Sequence, residues 1–307
     1  MTLKTLISIV GPTSIGKTNL AIRIAKQFNA EIISADSRQF YKEMSIGTAV
    51  PSKDELSMVK HHFIQHKSIF EPYSVGDFER EALKKLESLF KKDNIAVMVG
   101  GSGLYSDAVA HGLDDFPAID PKIRVNLNTE LKTKGISALQ EKLKVLDPKY
   151  YNKVDVDNPH RLIRALEICI GTERPYSSFL NKPRANRPFK TITIGITANR
   201  TIIYERINQR VDKMMAEGLL TEARALYEYR EVNALQTVGY KELFKYIAGE
   251  WELDFAISEI KKNTRRFAKR QLTWLNKNET LDWVDYQASE NEIFDLISAQ
   301  LKQDGNS

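Results

Sequence analysis
A single cysteine, Cys169, in 307 residues excludes an internal disulfide and a thiolate-rich zinc module. Its place in the apolar series Leu162, Leu166, Cys169 reads as a core position. No stretch approaches the ~20 apolar residues that span a bilayer, so no membrane segment is expected. The one apolar run near the start, Leu6 to Val10, leads into a glycine loop and not a small-residue cleavage site; no signal peptide and a cytoplasmic location are expected. Charge of one sign is also scarce, with 45 Lys+Arg against 40 Asp+Glu and a net charge of +5. His61, His62 and His66 superficially resemble a metal cluster, but no Cys or nearby carboxylate completes it, and no metal is expected there. Two acidic signatures of phosphate-loop enzymes are missing too. The apolar run Ile95 to Val99 ends in Gly100-Gly101-Ser102-Gly103-Leu104-Tyr105, where an Asp usually holds a magnesium shell. No guanine-reading Asn-Lys-x-Asp follows a strand, since Asn276-Lys277-Asn278-Glu279 has the wrong last residue and follows a basic helix. Both absences count against a motor ATPase and a GTPase.

What is present begins at Gly11, Pro12, Thr13, Ser14, Ile15, Gly16, Lys17 and Thr18, which fit the P-loop pattern G-x-x-x-x-G-K-[ST] between a strand, Leu6 to Val10, and a helix, Asn19 to Phe28. That context is what the motif requires. Glycines at both ends let backbone N–H groups and a helix N-terminus face one concavity, with Lys17 as a point charge and Thr18 as a hydroxyl suited to Mg2+. Such a loop grips a diphosphate or triphosphate. A second strand, Glu31 to Ala35, ends in Asp36-Ser37-Arg38-Gln39-Phe40-Tyr41. In an open parallel sheet ligands bind beyond the carboxyl ends of the strands, which directs Asp36 toward the crevice of Lys17 and Thr18. There its carboxylate could hold Mg2+, accept a proton or cap the next helix.

The expected fold is α/β, a P-loop NTPase-like parallel sheet flanked by helices, with an all-helical insertion. Strands Leu6–Val10, Glu31–Ala35, Ile95–Val99, Thr191–Thr197 and Leu281–Val284 assign 1–115 and 190–307 to the core, and the end of the chain reads as polar. Between them, 116–189 carries helices at Lys122–Lys134, Ser137–Val145 and Pro159–Ile170 with no strand, a design suited to a lid or clamp. Further core helices are expected at 53–59, 77–92, 201–215, 220–229, 241–247 and 253–275. Arg206 and Arg210 lie one turn apart on the 201–215 helix, either to neutralise a leaving phosphate or as an exposed pair. Basic residues concentrate in two tracts. Lys261 to Lys277 holds seven and no acid, and Arg161 to Lys190 holds seven against Glu167 and Glu173. Such tracts point to a polyanion larger than a nucleotide, solvated helix faces being the alternative on charge alone.

Taken together, these residues resemble the tRNA dimethylallyltransferase family, the isopentenyl transferases that prenylate tRNA. The motifs that carry the resemblance are Gly11-Pro12-Thr13 through Gly16-Lys17-Thr18, Asp36-Ser37-Arg38-Gln39 with Tyr41, Ile46-Gly47-Thr48-Ala49, and Gly100-Gly101-Ser102-Gly103-Leu104-Tyr105. Asn158-Pro159-His160-Arg161 with Arg164-Ala165-Leu166-Glu167, Val238-Gly239-Tyr240-Lys241, and Ala268-Lys269-Arg270-Gln271 with Thr273-Trp274 complete the set. Ser102 stands where the family has Thr, Ser14-Ile15 occupy its variable loop positions, and the zinc finger of some eukaryotic relatives is absent, which favours a bacterial-type enzyme.

The resemblance implies transfer of a dimethylallyl group from dimethylallyl diphosphate to the exocyclic amine of the adenosine just 3′ of the anticodon, in tRNAs reading codons that begin with U. It implies Asp36 as general base, Arg210 rather than Arg206 at the leaving diphosphate, Thr13 as a second essential hydroxyl, and Lys17, Thr18 and Mg2+ around the phosphates. It implies tRNA contacts from Asp36, Ser37, Arg38, Gln39, Ser102, Arg124, His160, Arg161, Leu162, Ile163 and Arg164, and a protein that binds the anticodon stem-loop; a monomer is the default expectation. A stacked base cannot reach such a site, so the adenosine is expected to flip inward. Two readings compete. A small-molecule or nucleotide kinase would use the same loop on ATP, and a non-catalytic RNA-binding protein would carry a vestigial P-loop.

Overall fold
The structure, a computed structural model, describes residues 3–180, 186–278 and 280–303. The segment Thr5–Val10 (β1) shows no alternation, and all of it is buried, as a strand covered on both faces requires. It leads through the P-loop to helix Lys17–Gln27 (α1), then Ile32–Ser34 (β2), Lys53–Met58 (α2), His61–His62 (β3), Val75–Leu89 (α3), Ile95–Val99 (β4) and Gly103–His111 (α4). Four helices follow, Pro121–Lys134 (α5), Ile136–Leu146 (α6), Pro148–Tyr151 (α7) and Pro159–Thr172 (α8). The chain then forms Lys190–Thr197 (β5), Arg200–Ala216 (α9), Leu219–Leu226 (α10), Tyr240–Ile247 (α11), Leu253–Leu275 (α12), Leu281–Asp285 (β6) and Glu290–Gln303 (α13). Among the described residues no helix is long and apolar enough to cross a membrane.

The six strands form one sheet in the order β3-β2-β4-β1-β5-β6, and every pairing is parallel. Strand periodicity sends successive side chains of β1 to opposite faces. Ile7 and Ile9 enter a core with Leu20, Ile24, Ile203 and Ile297, while Leu6 enters another with Phe40, Phe78 and Leu86. A third core, Val211, Leu219, Tyr240, Leu243 and Ile260, binds α9 to α12. Because the strands are parallel, the segments after β1, β2 and β4 all leave the same edge of the sheet. Two glycines let them approach. A Cβ on Gly100 would stand 2.7 Å from the Ala35 carbonyl carbon, and one on Gly11 would stand 2.6 Å from the Ile196 carbonyl oxygen.

The chain divides into two compact units, Met1–His111 with Asn186–Ser307, and Gly112–Ala185. The second unit begins and ends four residues before the bounds read from the sequence, 116 and 189. Its own core is Leu127, Leu139, Leu143, Leu162, Ile163 and Leu166. Cys169 is buried there, and its Sγ accepts the Tyr176 N–H at 3.2 Å.

Four local expectations change. The glycine-rich loop after β4 turns at once into α4, the helix expected to reach Tyr229 stops at Leu226 and continues as a 3-10 turn, and His61–His62 adds an edge strand too short to show a pattern. The polar end of the chain forms α13, which buries Ile293 and Ile297, one turn apart in a segment whose charges mask the period. The histidines are structural: His62 bonds the Glu31 carboxylate at 2.6 Å, and His66 packs among Phe40, Phe63 and Tyr73. Among the described residues no group of three or more His, Cys, Asp or Glu could hold a metal.

The Gly100 contact generates a stability prediction. Gly100→Ala should lower stability by about 1–3 kcal/mol through overpacking against backbone. Gly76→Ala, in helix α3 with only side-chain atoms nearby at 3.5 Å or more, should not. Thermal denaturation of both variants checks the pair, and equal melting temperatures would contradict the close approach.

Candidate functional site
The P-loop is held open by strained backbone. Gly16 caps α1 in the left-handed region at φ 105°, with no side-chain cap, and Ser14 adopts φ 66°. The first N–H groups of α1 therefore stay free to meet an anion. The Ser14 hydroxyl is buried with no hydrogen-bond partner among the described residues. Lys17 Nζ donates to the Pro12 carbonyl at 2.8 Å. Burial lowers its pKa to about 8, the Asp36 carboxylate opposing the shift and Arg210 adding to it. Burial also lowers the pKa of Arg210, again against Asp36. The carboxylate and the two cations thus share one field.

Thr13, Ser14, Asp36, Ser37, Arg38, Ser102 and Arg210 line a single cleft of about 620 Å³. Arg210 donates to the Thr13 hydroxyl at 3.2 Å. Arg206, one turn earlier, instead donates to the Ser14 carbonyl at 2.8 Å and props the P-loop from outside; the two arginines are not an exposed pair. Across the cleft, Asp36 Oδ1 accepts the Arg38 N–H at 3.1 Å, which fixes the carboxylate in an Asx turn. Ser37 Oγ lies 3.1 Å from Ser102 Oγ, joining the segments after β2 and β4. Arg38 reaches the Asn233 and Ala234 carbonyls at 3.1 and 2.9 Å.

Gln39, expected to contact RNA, has its side chain engaged within the protein. It is buried, its amide nitrogen donates to Thr48 and Ala49 carbonyls at 3.2 and 2.9 Å, and its oxygen accepts from Ser34 Oγ. In the second unit, Leu162 and Ile163 are likewise buried, and their side chains join its core. Arg124 and Arg164 share the Glu167 carboxylate at 3.0 and 3.1 Å, while His160 and Arg161 are exposed at the start of α8.

Two residues not assigned from sequence complete the cleft. Gln271 on α12 accepts the Thr13 N–H at 2.9 Å and donates to the Gly101 carbonyl at 2.6 Å. Glu222 accepts the N–H groups of Ser45, Ile46 and Gly47 at 2.9 to 3.0 Å and the Tyr240 hydroxyl at 2.6 Å, which pins the loop carrying Gly47 and Thr48 along the wall. Gln271 lies in the motif Ala268-Lys269-Arg270-Gln271, but its partners are 258 and 170 residues away. Trp274, one turn on, covers Gly103 and donates its indole N–H to Asp107 at 2.8 Å.

The arrangement suits a ligand with a diphosphate at one end and a proton donor at the other. Mg2+ usually takes one or two protein oxygens and completes its shell with phosphates and water. A lone Thr18 hydroxyl on a loop with free amides and the unpartnered buried hydroxyl of Ser14 fit that habit.

The family model described as IPP transferase matches residues 39–278. The tRNA dimethylallyltransferase of Christiangramia forsetii is 61% identical over 296 residues, covering 96% of this chain and 98% of that protein. That of Flavobacterium johnsoniae is 58% identical over 306 residues, covering 98% and 99%. The structure of a tRNA isopentenylpyrophosphate transferase of Bacillus halodurans is similar at TM-score 0.74, with 36% identity over 99% of this chain and 98% of that one. A eukaryotic dimethylallyltransferase acting on tRNA matches at TM-score 0.82 and 26% identity, over 99% of this chain and 80% of that one. A P-loop cleft with a carboxylate facing its cations is thus found in a chain that belongs to the IPP transferase family, the tRNA dimethylallyltransferases.

Proposed function
We propose that this enzyme transfers the dimethylallyl group of dimethylallyl diphosphate to the exocyclic N6 amine of the adenosine 3′ of the anticodon, in tRNAs reading codons that begin with U, and releases diphosphate. The observation that carries the reading is the single cleft in which Arg210 bonds the Thr13 hydroxyl while Asp36 faces both buried cations. One side is built for a leaving anion and the other for a base.

In this reading the diphosphate lies on the P-loop amides, and its charge raises the proton affinity of Lys17, which exchanges its Pro12 carbonyl for phosphate oxygens. As the C–O bond breaks, Arg210 and the Thr13 hydroxyl stabilise the charge that grows on the bridging oxygen, the electrostatic contribution that is usually largest. The adenine amine is a weak nucleophile because its lone pair is delocalised into the ring. Its nitrogen forms the new bond to carbon, and Asp36 takes the proton it sheds. Thr18 would hold Mg2+ against the diphosphate, where the ion neutralises leaving-group charge. The adenosine enters flipped from its stack. Ser37, Arg38 and Ser102 meet the base and its neighbours, Arg124, Arg161 and Arg164 offer cations to the stem-loop phosphates, and His160 stands beside them. We place the enzyme in the cytoplasm, working as a monomer.

Three measurements test this. With labelled dimethylallyl diphosphate, Mg2+ and an anticodon stem-loop, the intact protein should label RNA, and Asp36→Asn should lose about 10²–10⁴-fold in rate while still binding RNA; undiminished labelling would remove Asp36 as base. Arg210→Ala should impair turnover far more than Arg206→Ala, whose partner is a backbone carbonyl; the reverse order would exchange their roles. The third is a pH profile. Lys17 is cationic in the free enzyme below its pKa of about 8 and loses its charge as pH rises through it, so kcat/KM for dimethylallyl diphosphate should fall above about pH 8. Lys17→Arg should hold that limb flat, and an unchanged alkaline limb in this variant would assign the fall elsewhere.

A further inference from the structure
Gln271 is buried on α12, where no solvent role is open to it. Its amide is used at both ends, with the oxygen on the Thr13 N–H at 2.9 Å and the nitrogen on the Gly101 carbonyl at 2.6 Å. The glycine is what admits it, since a Cβ on Gly101 would stand 2.6 Å from Gln271 Nε2 and 3.6 Å from Lys17 Nζ. Thr13 carries the hydroxyl that Arg210 grips. On the other side, Gly101 precedes Ser102, whose hydroxyl meets Ser37, the neighbour of Asp36. One neutral side chain therefore spans the two halves of the cleft, leaving-group side to base side.

We propose that Gln271 is a positioning residue of the transfer reaction, its two-ended amide holding Thr13 at a fixed distance from the Gly101-Ser102-Ser37-Asp36 segment. The inference rests on the prenyl-transfer reading above. Only an uncharged amide satisfies both neighbours, because a leucine offers neither a donor nor an acceptor, and a carboxylate keeps the Thr13 bond but cannot donate to Gly101. A carboxylate would also set a negative charge beside Lys17 and the incoming diphosphate. Misplacing reacting groups by about 1 Å can cost about 10²-fold in rate, whereas ground-state binding to the P-loop amides does not depend on that distance.

The test uses the full chain and reads kcat and KM separately, with calorimetric binding of inorganic diphosphate and Mg2+ as a readout independent of turnover. Gln271→Leu should lower kcat by about 10–10²-fold, with KM for dimethylallyl diphosphate and diphosphate affinity within about threefold of the intact enzyme. Gln271→Glu, of the same shape, should lower kcat similarly and also raise KM; it carries the kcat test should the leucine variant fail to fold. A kcat within about threefold of the intact enzyme in the folded variants, or a leucine variant whose whole loss lies in KM and diphosphate affinity, would overturn the positioning role. Labelling by the intact protein separates the two failures. If the intact protein labels RNA and these variants behave as just described, only the inference falls; if it labels none, the prenyl-transfer reading falls with it.

Discussion

The site depends on the parallel pairing of β1 with β4 on one side and β5 on the other. Parallel strands leave a sheet at one edge, so the P-loop, the Asp36 segment and the Gly100–Tyr105 segment must all emerge there. β1 has no freedom to shift, because Leu6 and Ile7 enter different cores and a slip of one residue would exchange the faces. Glycine then sets the spacing. Gly100 lies against the Ala35 carbonyl and Gly101 against Gln271, so segments far apart in sequence come within hydrogen-bond reach of each other.

That closeness creates an electrostatic problem whose solution is the site. Two cations, Lys17 and Arg210, are held beside each other and out of water, and both have lowered pKa values chiefly through burial. Asp36 offsets part of the cost, and a diphosphate would offset more. Backbone carbonyls meanwhile satisfy Lys17 through Pro12 and Arg206 through Ser14. A site that under-compensates its cations is a receptor for an anion. The P-loop amides add to that preference, since no side chain caps α1.

Much of this was legible in the sequence, and the residues that were not share a cause. The P-loop, the segment after β2 and the long helix α12 are written in contiguous residues, so motif and periodicity exposed them. Spacing alone left Arg206 and Arg210 equivalent, because both lie on one face of one helix, and only the family resemblance favoured Arg210; the tertiary structure puts Arg206 on a Ser14 carbonyl and Arg210 on the Thr13 hydroxyl. Gln271 and Glu222 act on backbone groups, which carry no residue-type signal. Gln39, Leu162 and Ile163 sit in family motifs, and the structure adds what the motifs do not show, that their side chains pack in a core or hold a loop. The last helix was hidden by its charges, and its Ile293 and Ile297 emerge as core only against β1, β5 and α1.

In the proposed reaction one cleft has two chemically distinct ends, a P-loop end for the leaving diphosphate and an Asp36 end for the adenine amine. Inhibition of labelling by inorganic diphosphate tests it most directly. Competition with dimethylallyl diphosphate is expected, relieved by raising that substrate, with no relief on raising the stem-loop concentration. Relief by RNA alone would contradict it, placing the diphosphate where the base should be and the polarity of the cleft the wrong way round.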